Sequence, residues 1–304
     1  MDKAYIDTVR LLLEIAPEVF RADSLAMKGG TALNLFVQDM PRLSIDIDVV
    51  YVKHRAGREE ALAEIGRELG ALRQRLRDRG IEVDEIRAVG DETKLFARRG
   101  RQEVKIEVNH VFRGTLLPTE ARALVPTASS LFTTSLTVPT LAVAELYGGK
   151  LVAAMDRQHP RDFFDAHGMY QQFGLRPDIV ECFVGYLAGH NRPVHEVLFS
   201  RDIDLTPAYE NEFDGMARET ISLADLQATR SRLRRDLRAG LTEAHRRFLL
   251  GLVAGEPAWD LMSCRHFAEL PAVQWKLRNL ARLKESNPGK FQLQRDELLR
   301  GFSS

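Results

Sequence analysis

Residues 44–52 read Ser-Ile-Asp-Ile-Asp-Val-Val-Tyr-Val, and no other stretch of the chain restricts its fold so strongly. The β-branched run predicts a strand. Its apolar neighbours Ile45, Ile47, Val49 and Val50 are those of a buried strand. Asp46 and Asp48 stand two apart, so on a strand both carboxylates project from one face. Two carboxylates placed there repel each other, and burying them without a partner is costly. A divalent cation relieves both penalties. Hard oxygen ligands suit magnesium, which takes one or two carboxylates together with substrate phosphates. The plain alternative is an exposed strand face with two solvated aspartates, and the apolar flanks argue against it.

An α/β region is expected around this strand. Residues 5–20 carry helical spacing, Leu25 to Lys28 lead into Gly29-Gly30, and residues 31–37 predict a short helix, with Pro41 ending that unit. Residues 59–79 predict a long helix on the stripe Leu62, Ile65, Leu69, Leu72 and Leu76, stopped by Gly80. Strands are expected near 81–89, 93–97 and 103–111. The last alternates Val104, Ile106 and Val108 against Lys105, Glu107 and Asn109. That alternation puts Glu107 on a polar face as a third carboxylate. Three carboxylates from two neighbouring strands can hold two metals about 4 Å apart; an ordinary exposed glutamate is the alternative for Glu107 taken alone. After Pro139 the chain is expected to be almost wholly helical, with helices over 141–157 and 161–173. The reading divides the chain into an α/β part, 1–125, and a helical part, 126–304.

Gly29-Gly30-Thr31 opens the short helix. Glycines let a phosphate approach the backbone, and the free amides of a first helical turn favour an anion. Lys28 adds a positive charge just before them, although a tight turn between two elements would also use these glycines. A second pair, Gly148-Gly149, precedes Lys150 inside the 141–157 helix. Two such glycines cost about 1 kcal/mol each against alanine, which close approach by a ligand or another backbone would explain. Asp162 and Asp165 are three apart and share a helix face. The alternative there is a surface helix with an Arg161–Asp165 ion pair.

Taken together, Lys28-Gly29-Gly30-Thr31-Ala32-Leu33, then Arg42-x-Ser44-x-Asp46-Ile47-Asp48, then Lys150 and Arg161-Asp162-Phe163-Phe164-Asp165, resemble the nucleotidyltransferase-beta superfamily. Within it they look like the AbiEii/AbiGii-type toxin nucleotidyltransferases of bacterial toxin–antitoxin and phage-defence systems. The resemblance spans about residues 26–168. It implies an α+β chain: a nucleotidyltransferase fold, with a mixed sheet and flanking helices, followed by a helical domain that completes the nucleotide pocket and binds the acceptor. It implies that Gly30 and Thr31, with Gly29 beside them, cradle the triphosphate and that Ser44 contacts phosphate beside the metals. Asp46 and Asp48 would bind magnesium, in two ions, with Glu107 as the third carboxylate. Lys28 and Lys150 would neutralise phosphate charge. Asp162 and Asp165 would form the second motif, Asp165 helping to build the nucleotide pocket. Thr31 departs from the serine of many members but keeps the hydroxyl. The implied reaction is attack by a hydroxyl on the α-phosphate of a nucleoside triphosphate with release of pyrophosphate. The implied acceptor is the 3′ end of tRNA, and the implied partner a cognate antitoxin, often a winged-helix repressor.

Composition bears on the acceptor and the compartment. Lys plus Arg and Asp plus Glu balance at 43 each, so a nucleic-acid surface has to be a local patch. Arg230, Arg232, Arg234, Arg235 and Arg238 fall on one predicted helix, with Leu226, Leu233 and Leu237 on its apolar side. Residues 265–300 hold eight Lys or Arg against four Asp or Glu. Such stretches can grip a phosphate backbone or form a solvated face balanced by acids elsewhere; Trp275 can stack on a base or pack in a core. Cys182 and Cys264 match no metal spacing and read as reduced thiols of a cytoplasmic protein. No apolar run approaches the roughly 18 residues of a membrane span, and no secretory signal is read. Two rival functions stay open. One is transfer to a small-molecule or protein hydroxyl; the other is a nucleotide- or nucleic-acid-binding protein without turnover, which the retained Asp46-Ile47-Asp48 disfavours.

Overall fold

A computed structural model describes residues 3–87 and 92–303. The chain divides into two compact units, Met1–Leu146 with Gly215–Thr220, and Tyr147–Asp214 with Ile221–Ser304.

The first unit is built on a seven-stranded sheet. Its strands are β1 (Leu25–Lys28), β2 (Ile47–Tyr51), β3 (Glu82–Arg87), β4 (Glu92–Arg99), β5 (Gln102–Asn109), β6 (Glu120–Ala123) and β7 (Thr137–Thr140), in the spatial order β3-β4-β5-β2-β1-β7-β6. The β2–β5 and β1–β7 pairs are parallel and the others antiparallel, so the sheet is mixed, as the resemblance implies. Alternation along β4 and β5 sorts the two faces. Leu95, Ala97, Val104, Ile106 and Val108 are fully buried on one side. The helix α1 (Lys3–Val19) packs on β5 and on α3 (Arg58–Asp78). It buries Val9, Leu12, Leu13, Ile15 and Val19. On α3 the buried stripe is Ala61, Ile65, Leu69, Leu72 and Leu76, with Ala61 rather than Leu62 leading it. Gly80 ends the helix at φ +71°, the left-handed conformation that glycine tolerates best.

Three expectations need correction here. The strand carrying the aspartates begins at Ile47, not at residue 44. Before it the backbone is drawn out of the ladder: Leu43 N–H donates to the carbonyl of Met216, and the carbonyl of Asp46 accepts from the Thr31 hydroxyl. Ile45 is correspondingly only half-buried. The strands β6 and β7 and the short helix α4 (Pro126–Phe132) were not foreseen. β6 and β7 are four residues each; β6 has no β-branched residue and β7 contains Pro139, so little local preference marks them. Residues 88 and 89 of the strand expected near 81–89 lie outside the described residues.

The remaining helices are α2 (Gly29–Phe36) and α5 (Val143–Arg157), then α6 (Pro160–Gln172), α7 (Pro177–Gly189), α8 (Val194–Leu198), α9 (Thr206–Ala208), α10 (Leu223–Gly240), α11 (Glu243–Val253), α12 (Pro271–Ser286) and α13 (Pro288–Ser303). In the second unit α6 packs on α10, α7 on α11 and α12, and α13 on α8, α11 and α12. Phe163, Phe183, Phe248 and Phe267 form the bulk of its buried aromatic volume. The glycine pair of α5 is explained by another element. A Cβ on Gly148 would stand 2.5 Å from Cβ of Cys182 and 2.7 Å from its carbonyl carbon, so α5 and α7 meet backbone to backbone there. Among the described residues no helix is long and apolar enough to cross a membrane.

Candidate active site

The sheet register aligns the charged residues of the first unit. Lys28 pairs with Asp48 across β1–β2, Asp48 with Glu107 across β2–β5, and Glu107 with Lys94 across β4–β5. Register partners share a face, so Lys28, Asp48, Glu107 and Lys94 form one row across four adjacent strands. That face is opposite the one carrying Ile106 and Val108.

The turn from β1 into α2 is shaped around this row. Gly29 has φ +77°, and a Cβ there would lie 2.0 Å from Oδ2 of Asp48. A Cβ on Gly30 would meet Nη2 of Arg42 at 2.9 Å and Oγ of Ser44 at 3.2 Å. α2 starts at Gly29 with Lys28 as its N-cap and no capping side chain, so its first-turn amides remain available to an anion. Thr31 Oγ1 lies 2.5 Å from the carbonyl oxygen of Asp46 and 2.9 Å from Oγ of Ser44, hydrogen-bonding both. Thr31 and Arg42 are buried. The segment 41–43 is braced by 216–218, through the Leu43 N–H to Met216 and the Arg218 N–H to the carbonyl of Pro41.

Electrostatics follow from this packing. Burial pushes the Asp48 carboxyl above its usual range, and the neighbouring Glu107 and Asp46 push it further, with Lys28 and Lys105 only partly offsetting them. Lys105 Nζ stands 3.5 Å from Oδ2 of Asp46 and 3.2 Å from Oε2 of Glu107, bridging the two. Lys94 reaches Glu107 at 3.4 Å. Burial raises the Glu107 carboxyl, but Lys105 and Lys94 outweigh it and hold the group below the ordinary carboxylate value. Among the described residues no three His, Cys, Asp or Glu side chains stand together as a ligand set. The donor chemistry of the aspartates still fits a hard cation. Asp48 is an anion disfavoured by its surroundings, Asp46 is 44% exposed, and a lysine ammonium already holds positive charge between Asp46 and Glu107. Magnesium completes its octahedron with water and phosphate, so two aspartates suffice for the protein's share.

The structure therefore brings Lys28, Gly29, Gly30, Thr31, Ser44, Asp46, Asp48 and Glu107 into one neighbourhood. Lys105, Lys94 and Arg42 belong there too and were not singled out. The alternation 103–111 already put Lys105 on the face of Glu107, which was the signal available for it.

The residues of the second motif meet within the second unit. Lys150 Nζ lies 3.1 Å from Oδ1 of Asp162 and 2.9 Å from Oδ2 of Asp165, and both aspartates are fully buried. Arg157 Nε adds a contact to Asp162 at 2.6 Å. Burial alone would raise the Asp162 carboxyl; Lys150 and Arg157 more than reverse that and hold it well below its ordinary value. The Arg161–Asp165 pair considered from the sequence does not form, since Arg161 turns to Glu212 instead, at 3.8 Å. The arginines of α10 mostly find acids at home. Arg230 and Arg234 pair with Asp202, and Arg232 and Arg235 with Asp236. Trp275 is half-buried beneath Arg278, and Cys182 and Cys264 are free thiols.

A family model described as nucleotidyl transferase AbiEii toxin, type IV toxin–antitoxin system, matches residues 10–279. No curated protein sequence matches the chain. Among solved structures, the chain is similar to MenT4, nucleotidyltransferase toxin Rv2826c from Mycobacterium tuberculosis H37Rv. The identity is 19%, the match covers 91% of this chain and 94% of that one, and the TM-score is 0.60. At that identity the likeness speaks for the fold.

Proposed function

The chain belongs to the AbiEii family of nucleotidyltransferase toxins of type IV toxin–antitoxin systems, enzymes that use a nucleoside triphosphate and are countered by an antitoxin; we propose that it moves a nucleotide onto the 3′ end of tRNA with magnesium bound at Asp46 and Asp48. The observation that carries this reading is the pairing of Asp48 with Glu107 on an accessible sheet face, directly beside the Gly29-Gly30 turn.

Residue by residue, the chemistry is one of positioning and charge neutralisation. The first-turn amides of α2 and the Ser44 hydroxyl take the triphosphate oxygens, and Gly30 leaves room for them. Thr31 spends its hydroxyl on the Asp46 carbonyl and on Ser44, so it fixes the segment that carries both the phosphate contact and the first aspartate. Lys28 offsets phosphate charge. Asp46 and Asp48 would hold magnesium, with Glu107 as a third carboxylate. When bound, the metal supplies Lewis-acid stabilisation of charge on the phosphoryl oxygens. In the transfer the acceptor hydroxyl oxygen forms a bond to the α-phosphorus on the side opposite the bond to the bridging oxygen. That bond breaks, pyrophosphate departs with its electron pair, and the acceptor proton passes to solvent. The tRNA acceptor, a winged-helix repressor as antitoxin, a cytoplasmic setting and a role in phage defence are drawn from the motif resemblance.

The test is incubation of the protein with each labelled nucleoside triphosphate, magnesium and total tRNA. Label on RNA is the expected result. Label on a small molecule or a protein replaces the acceptor, and tight triphosphate binding without any transfer replaces catalysis by sensing. Asp46→Ala is expected to abolish transfer while circular dichroism and Tm stay unchanged; an active variant overturns the site.

A further inference from the structure

The arginine-rich face of α10 is not uniform. Arg230, Arg232, Arg234 and Arg235 each have an aspartate partner, whereas among the described residues Arg238 has no carboxylate partner. Arg238 instead opens onto a cleft of about 600 Å³ that lies wholly within the second unit. Four arginines line it, Arg192, Arg201, Arg238 and Arg300. Three carboxylates face it as well, and each is already neutralised: Arg192 holds Asp156 at 2.6 Å and Glu196 at 3.2 Å, and Arg300 holds Glu297 at 2.7 Å. Arg201, like Arg238, is exposed and has no carboxylate partner among the described residues. The cleft thus presents two uncommitted guanidiniums over an otherwise charge-balanced lining.

Arg238 is also held in place. Its Cζ lies 5.2 Å from the centroid of the Phe199 ring, a cation–π arrangement that orients the planar fork. The ring is fixed in turn by Gly301, where a Cβ would come within 2.1 Å of it, and by the edge of Phe302 at 5.8 Å. A pre-oriented guanidinium suits the paired oxygens of a phosphate better than a flexible ammonium does. The volume lies within the range of small-ligand pockets, about 300–1,000 Å³. Phe199 and the half-exposed Ile203 supply apolar surface for the non-ionic part of such a ligand.

We propose that this cleft binds the phosphate of a nucleotide unit, with Arg201 and Arg238 as its anion contacts. The choice of a nucleotide over other phosphates rests on the nucleotidyltransferase reading above. The unit can belong to the acceptor RNA strand or to a free nucleotide.

The experiment uses full-length protein carrying Asp46→Ala, so that binding is read without turnover. Labelled tRNA is titrated at several salt concentrations, and ATP binding stoichiometry is measured separately. Combining Arg201→Ala with Arg238→Ala is expected to raise the Kd for tRNA by about tenfold. The slope of log Kd against log salt should fall by about two, one for each lost phosphate contact. Arg232→Ala with Arg235→Ala, on the same helix but paired with Asp236, serves as the control and leaves both quantities unchanged. A fall in ATP stoichiometry from two to one per chain, with tRNA binding unaltered, assigns the cleft to a free nucleotide. Unchanged binding in both arms, or a parent protein that binds neither ligand, overturns the proposal. Equal Tm values for parent and double variant exclude misfolding as the cause. Transfer by protein with Asp46 intact is assayed independently, so loss of the catalytic reading and loss of the cleft are separate results.

Discussion

Gly29 leaves room for Asp48: a Cβ at position 29 would stand 2.0 Å from the aspartate's Oδ2, and the backbone there is left-handed at φ +77°. Two independent constraints, sterics and conformation, fall on one residue. Gly29→Ala is expected to cost about 1–3 kcal/mol in backbone strain and to displace Asp48. A catalytic group misplaced by about 1 Å loses roughly a hundredfold in rate. Transfer assays paired with urea denaturation check both effects. A variant with full activity would show that the position of Asp48 is not critical.

Asp48 and Glu107 are register partners, and Glu107 is held by Lys94 and Lys105. If Glu107 shares the metal, Glu107→Gln should raise the magnesium concentration for half-maximal transfer by about tenfold or more, whereas Asp48→Asn should abolish transfer. An unchanged magnesium dependence with reduced stability would instead leave Glu107 as the partner of two lysines only.

Asp162 is a fully buried carboxylate held by Lys150 and Arg157. Its folded value is depressed below the ordinary 3.8, so folding favours its ionised form. The stabilisation it confers is complete above that ordinary value and fades as the pH falls below it toward the folded value. Asp162→Asn should therefore cost about 3 kcal/mol near neutrality, since one partner of a buried pair is lost. The gap between variant and parent should narrow in strongly acidic buffer. Urea unfolding across pH reads this directly, and a gap that persists undiminished in acid contradicts the assignment.

Gly148 and Gly149 are expected to differ. A methyl at 148 meets the backbone of α7, with the carbonyl carbon of Cys182 at 2.7 Å and the N of Phe183 at 2.8 Å. At 149 it meets the Tyr186 ring at 3.1 Å, and a ring edge can yield. Gly148→Ala should destabilise the protein by about 1–3 kcal/mol or more, and Gly149→Ala by clearly less, with Tm as the measurement. Equal effects would mean that the two helices are free to separate at this crossing.

The alternation at 103–111 and the stripe at 59–79 located a strand and a helix because periodicity records which side of a single element is buried. The same local logic put Asp46 and Asp48 on one face and Glu107 on a polar one. What faces what is a different kind of information. That β2 lies parallel to β5, so that Asp48 meets Glu107, depends on how chain segments distant in sequence pack against each other. So do the entry of β7 beside β1, the bracing of 41–43 by 216–218, and the aspartates that neutralise most of α10. None of these contacts leaves a repeat in the sequence, because a partner reached through tertiary packing imposes no period on the residues that meet it.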